Sequence, residues 1–156
     1  MAEVELDELD RRILAIMQEN NLTPAERIGE QVGLSASAVQ RRTKRLREAG
    51  VIVGDVSLVS PKAVGQGALF IVEVSLEREN TEVLENFKRR MRATAEVQQC
   101  YYITGDADFL LVVSASSIDE YERLIERLFL NEKSVRRFRT GVVLNRVKVS
   151  LAVPIA

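Results

Sequence analysis

The chain reads as an α+β protein in two parts, a helical N-terminal part and a longer remainder in which strands and helices alternate. Three observations predict this. Apolar residues recur at helical spacing in three successive segments before Gly50. Beyond residue 67, short runs rich in Val, Ile, Leu and Phe alternate with amphipathic patterns in the order β-α-β-β-α-β. Between the two parts, Pro61, Gly65 and Gly67 break up any regular pattern. The expected division is a helical domain at 1–54, a connector at 55–66 and a second domain at 67–156.

The first helix, about Leu6 to Asn20, sets Leu6, Leu9, Ile13, Ile16 and Met17 on one stripe that can back two further helices. Thr23, Pro24 and Glu26 read as a capping box that starts the second helix. Ala25, Ile28 and Val32 give that helix an apolar face. Gly33 suits the left-handed residue that ends it, and Ser35 can cap the next helix at 36–49. Two short helices joined by so tight a turn make a helix-turn-helix.

In the third helix Arg41, Arg42, Lys44, Arg45 and Arg47 stand against Glu48 alone. Such a density of cations favours a polyphosphate partner. At about 100° per residue, Val39, Thr43 and Leu46 turn inward, while Ser37, Gln40, Arg41, Lys44 and Glu48 turn outward. Recognition helices offer their first outward residues to base edges. Ser37, Gln40 and Arg41 are therefore assigned to bases, Lys44 and Arg45 to phosphates, and Ser35 joins this set at the helix start. Arg42 lies roughly 60° from the centre of the apolar face. It is expected to be structural, paired with an acid of the first helix such as Asp10. The expected partner is double-stranded DNA. Gly50 stops the helix, and Val51, Ile52, Val53, Val56, Leu58 and Val59 read as extended chain leading away.

In the second part, Ala68–Leu76 is strand-like and Thr81–Arg92 is helical through Leu84, Phe87 and Met91. Val97–Thr104 and Phe109–Ala115 are strands. Ser117 and Glu120 form a capping box for a helix at 118–130, and 135–149 is a long last strand. This order is the ferredoxin-like motif. The runs Leu69–Val72 and Phe109–Val113 are apolar on both faces, so the sheet face without helices also requires cover. A homodimer packed sheet to sheet is expected, and it would set two heads on half-sites about 34 Å apart or a multiple of that.

The chain has 156 residues, 22 Lys and Arg, 23 Asp and Glu, and no histidine. Neither part is globally basic, so DNA contact must rest on local asymmetry, with the acids of residues 3–10 expected away from the third helix. The single cysteine, Cys100, sits in an apolar and aromatic segment and reads as a buried hydrophobe. No apolar run approaches the ~20 residues of a membrane helix, and the reading is a cytoplasmic protein without a membrane partner. With no histidine and no second cysteine, neither a metal, a cofactor nor a catalytic set is expected.

Thr104-Gly105-Asp106-Ala107-Asp108 joins two apolar strands. Gly105 lets backbone approach a small molecule, free N–H groups can take a carboxylate, and an aspartate can take an ammonium group. These are the needs of a free amino acid. On spacing alone a plain hairpin turn is the commoner explanation of such a segment.

Taken together the residues resemble the Lrp/AsnC family of feast/famine transcriptional regulators across nearly the whole chain. Leu6, Asp7, Asp10, Ile13 and Leu14 are similar to its opening helix. Gly33, Leu34, Ser35, Ser37, Val39, Arg42, Leu46, Gly50, Val51, Ile52 and Gly54 are similar to its DNA-binding head. Pro61 and Gly65 match its connector. Gly105, Asp106, Asp108, Leu110, Leu111, Tyr121, Thr140, Val142, Val143 and Lys148 look like its regulatory domain. The resemblance implies a winged helix-turn-helix head, a ferredoxin-like (RAM/ACT-like) effector domain, and dimers that assemble to tetramers or octamers. It also implies an amino acid or related effector between dimers, carried here by Gly105, Asp106, Asp108, Thr140 and Val142. Asp55, Ala107, Phe138 and Gly141 depart from the family pattern, which implies an altered connector and a reshaped pocket. Siroheme decarboxylases resemble the same two-domain plan, but they rely on histidines that this chain lacks.

Overall fold

The computed structural model describes residues 5–77 and 80–155. Glu3, one of the acids considered above, lies outside the described residues. The chain forms two compact units, one running to Leu58 and taking in the chain from Lys148 onward, the other Val59–Val147.

The first unit holds α1 (Glu8–Glu19), α2 (Ala25–Val32) and α3 (Ala36–Glu48). Ile13, Ile28, Val32 and Val39 make its core, with Leu9, Ile16 and Met17 packed on it. Helix α1 begins with a capping box that the apolar pattern does not reveal. The Asp7 side chain accepts from the Asp10 N–H, and the Asp10 side chain accepts in return from the Asp7 N–H. The capping box expected at Thr23 is absent. Pro24 stands at the cap of α2 without a side-chain bond, and the Thr23 hydroxyl donates backwards to the Asn20 carbonyl (2.7 Å). Residues 51–60 form no strand, so the chain that follows α3 is an extended segment in place of a paired wing.

The second unit contains β1 (Ala68–Leu76), α4 (Thr81–Ala93), β2 (Val97–Tyr102), β3 (Phe109–Ala115), α5 (Ile118–Ile125) and β4 (Val135–Val142), preceded by a short 3-10 turn at Lys62–Val64. The sheet is antiparallel in the order β2-β3-β1-β4, the ferredoxin-like arrangement. Phe70, Val72 and Val74 of β1 and Phe109, Leu111 and Val113 of β3 alternate onto one face, where they pack with Phe87 and Met91 of α4 and Leu124 of α5. Their partners on the opposite face, Leu69, Ile71, Leu110 and Val112, are only partly covered.

Three expectations for this unit are corrected. The helix expected at 118–130 changes to a π-helical turn at Glu126–Leu130, where Arg90 donates to the Leu128 carbonyl (2.5 Å) and pairs with Glu132 (2.5 Å). The Ser117 hydroxyl caps α5 through the Glu120 N–H, but the Glu120 carboxylate accepts from the Ser116 N–H one residue earlier, so the box does not close on itself. The last strand ends at Val142 rather than 149. Its partner β1 begins at Ala68, so after Phe70↔Val142 and the Val143 N–H to Leu69 carbonyl bond (2.9 Å) only one residue of β1 remains beside it. The tail instead bonds the head's α1. Gln18 donates to the Val153 carbonyl (3.0 Å) and accepts from the Val153 N–H (2.8 Å).

Candidate nucleic-acid interface and ligand site

Helix α3 is held at both ends of its turn. Gly33 is left-handed at φ 75°, and its N–H and that of Leu34 both reach the Gly29 carbonyl (2.8 and 3.0 Å). A Cβ on Gly29 would sit 2.4 Å from the Leu34 carbonyl oxygen, so only glycine lets the turn lie against α2. The Ser35 hydroxyl accepts from the Ala38 N–H (3.3 Å) and lies 3.1 Å from the Ser37 hydroxyl. Ser35, expected among the DNA contacts, is thus engaged as the cap of α3.

Val39, Thr43 and Leu46 are buried, with the Thr43 hydroxyl turned onto the Val39 carbonyl (2.9 Å). Ser37, Gln40, Arg41 and Lys44 are exposed, the outward set read from the periodicity. Among the described residues no hydrogen bond or ion pair holds Gln40 or Arg41. Lys44 has a loose, solvent-exposed contact with Glu48 (3.7 Å) that costs little to open.

Two of the acids expected away from α3, Asp7 and Asp10, instead bind it. Asp10 has no exposed surface and accepts from Arg42 (2.9 Å) and from Arg45, while Asp7 accepts from Arg42 (2.6 Å). A buried carboxylate needs such partners, and two forked guanidiniums supply them. The Asp10 N–H bond first, and Arg42 second, hold the Asp7 carboxyl below the usual carboxylate range. Arg42 is structural, as the sequence indicates. Arg45, expected on phosphate, is also drawn into this cluster, although its side chain keeps half its surface in solvent.

Another cation of the α3 cluster has a partner that the sequence does not reveal. Arg47 pairs in bidentate fashion with Asp55, Nε to Oδ2 at 3.0 Å and Nη2 to Oδ1 at 3.3 Å, and Asn21 donates to the same carboxylate (3.2 Å). Arg47 and then Asn21 keep the Asp55 carboxyl below its ordinary value. Nothing in the local pattern around residue 55 announces this contact, because it depends on the path the chain takes after α3.

In the second unit, Gly105 is at φ 128°, a conformation that suits glycine, and with Asp106 it is exposed at the tip between β2 and β3. Asp108 is half-buried and has a structural task. Its N–H donates to the Val74 carbonyl (2.9 Å), and its carboxylate accepts from the Leu76 N–H (2.6 Å) where the β1–β4 register shifts between Ser75 and Leu76. The Ser75 hydroxyl donates to the Asp106 carbonyl (3.3 Å). Thr140 and Val142 lie elsewhere on the sheet, opposite Val72 and Phe70, with β1 between them and β3. One protomer does not bring them to the 104–108 loop. The Thr140 hydroxyl bonds the Tyr121 hydroxyl (2.5 Å), whose ring stacks on Phe70 with centroids 3.8 Å apart. Burial pushes the half-buried Cys100 thiol up, as suits an inert packing residue. No group of His, Cys, Asp or Glu among the described residues is placed to hold a metal ion, and no helix there is long and apolar enough to cross a membrane.

Comparison with known proteins assigns both units. Residues 6–47 match the AsnC-type helix-turn-helix domain, and residues 69–153 match the Lrp/AsnC ligand binding domain. An HTH-type transcriptional regulator of Sinorhizobium fredii is 49% identical over 97% of this chain and 90% of its own length. The leucine-responsive regulatory protein of Escherichia coli is 32% identical over 94% of this chain and 89% of its own. A transcriptional regulator of Neisseria meningitidis, solved as an L-Met complex, superposes with a TM-score of 0.90 at 29% identity, covering 96% of this chain and 97% of that one. With a DNA-binding helix-turn-helix head and a ligand-binding ferredoxin-like domain in this order, the chain belongs to the Lrp/AsnC family of transcriptional regulators.

Proposed function

We propose that this regulator lays α3 in the major groove of promoter DNA, with Ser37, Gln40 and Arg41 at base edges and Lys44 on phosphate. The observation that carries this is the division of α3 into a face locked inward by Val39, Thr43, Leu46 and the Asp10 cluster, and an opposite face of exposed amide, hydroxyl and cationic groups. Dimers joined through the uncovered sheet face present two heads, and further assembly gives tetramers or octamers. The effector is an amino acid held between protomers of different dimers, with Gly105, Asp106 and Asp108 from one and Thr140 and Val142 from another. That arrangement accounts for the distance between the two groups within one chain. The compartment is the cytoplasm, in keeping with a promoter-DNA partner.

Selection of bound genomic fragments, followed by titration of the selected duplex over a salt series, tests the DNA reading. Replacing Lys44 with Gln should lower the slope of log affinity against log salt by about 0.9 without changing the preferred sequence, whereas Arg41→Gln should relax it. An unselective fragment pool would end the reading. A thermal-shift panel of amino acids that includes L-methionine tests the effector, with a rise in midpoint expected for at least one and none expected for the matching amides lacking a free carboxylate.

A further inference from the structure

We infer that Arg47 is a second phosphate-binding cation of the recognition helix, and that Asp55 occupies its guanidinium fork in place of the phosphate until DNA arrives. The inference rests on the DNA reading of α3 given above.

Arg47 is seven residues beyond Gln40, which brings it back to within about 20° of the same helix face, and about 10 Å further along the axis. It therefore lies on the Gln40 flank of the helix at the end of α3, beyond the base-reading residues, where a groove-bound helix meets the flanking sugar-phosphate strand. Its partner has the matching chemistry. Asp55 offers two oxygens to Nε and Nη2 at 3.0 and 3.3 Å, the same forked geometry by which arginine takes a phosphate. Both side chains are partly exposed, 43% for Arg47 and 39% for Asp55, so the pair can open without uncovering a buried charge. Arg42 and Arg45 are different in kind, because releasing them would strand the fully buried Asp10.

Asp55 belongs to the extended chain that follows α3, and its other tie is to Asn21 in the α1–α2 turn. When a phosphate takes Arg47, Asp55 keeps only the Asn21 bond, and the start of the extended chain loosens from the head. By reciprocity, any state of the protein that draws Asp55 away from Arg47 raises DNA affinity, and DNA favours that state equally. Asp55 thus acts as an internal competitor whose strength depends on where the connector is held.

The test uses the full chain and a mixed-sequence duplex several helical turns long, titrated over a sodium chloride series. Arg47→Gln should weaken binding and reduce the salt slope by about 0.9 per head. Asp55→Asn, close in shape and without the charge, should tighten binding several-fold in the parent and leave it unchanged in the Arg47→Gln background. An unchanged slope in Arg47→Gln overturns the inference, and so does an equal gain from Asp55→Asn in both backgrounds, which would mean a general charge effect. Lys44→Gln serves as the reference. If it too leaves the slope untouched, the fault lies in the DNA reading of α3 as a whole; if it lowers the slope while Arg47→Gln does not, only the role of Arg47 fails. Circular dichroism melts of each variant close to the parent's establish that the head is folded in every comparison.

Discussion

Asp108 shows how a side chain proposed as a ligand group can also serve as a staple. The pairing of β1 with β3 ends at Val74↔Phe109, so the Leu76 N–H, which points to that side, has no ladder partner, and Leu76 is almost fully buried. The Asp108 carboxylate meets that N–H at 2.6 Å. Replacing Asp108 with Ala leaves a buried donor unpaired and should lower unfolding stability by about 1–3 kcal/mol. Asn keeps an acceptor in the same place, so Asp108→Asn should lose much less stability in a urea titration while still removing the charge an ammonium group would need. Equal losses for Ala and Asn would show that the charge, not the acceptor, is what matters there. From sequence, Gly105, Asp106 and Asp108 could be singled out by type and spacing. The split between an exposed Asp106 and an Asp108 bonded to Leu76 could not, because it depends on β1, 32 residues away, running past the start of β3. The tie from Arg45 to Asp10 escapes the sequence for a related reason. The solvent-facing angle of Arg45 on the helix is correct, but a long side chain can bend back to a buried acid that no helical wheel of α3 contains.

At the scale of elements, periodicity located each α-helix and β-strand among the described residues but not the short 3-10 helix at Lys62–Val64, and the other errors lie at ends where pairing or capping decides. The alternation of Val142, Leu144, Val147 and Val149 looks like strand, yet a strand extends only as far as its neighbour, and β1 stops it. Thr23 and Asp7 are both plausible caps by type, and only the coordinates show that Asp7 closes its box while Thr23 does not. The α1 cap carries a pH dependence. The Asp7 carboxyl is held low by the Asp10 N–H and then by Arg42, so its contribution to stability is fully present above the unfolded carboxyl's pKa of about 3.9 and is lost as pH falls through the lower folded value. Asp7→Asn still caps α1 but does not titrate. Melts of the full chain between neutral pH and pH about 3 should therefore show a smaller acid loss in Asp7→Asn than in the parent. Parallel acid profiles for the two would remove Asp7 from the account.

For the whole molecule the deciding surface is the sheet face that carries no helices. Leu69, Ile71, Leu110 and Val112 lie on it as neighbours, Ile71 directly opposite Val112, and the chain alone covers them only in part. The exposed edge is protected differently. Arg136, Arg137 and Arg139 are exposed on β4, and charge on an edge strand opposes pairing of one sheet's edge with another's. Association should therefore run face to face, with Ile71 near the centre of the contact. A lysine at this position would bury a charge in the dimer yet reach solvent in the monomer, and it leaves Phe70 and Val72, which face the helices, untouched. Ile71→Lys should sediment as a folded monomer. The monomer's head keeps its own contacts with DNA but loses the second head tethered beside it. Its affinity for a duplex with two half-sites should fall by roughly 10²-fold or more, while that for a single half-site stays near the parent value. A variant that remains dimeric, or a monomer that binds both duplexes as the parent does, would place the coupling of the two heads somewhere other than this face.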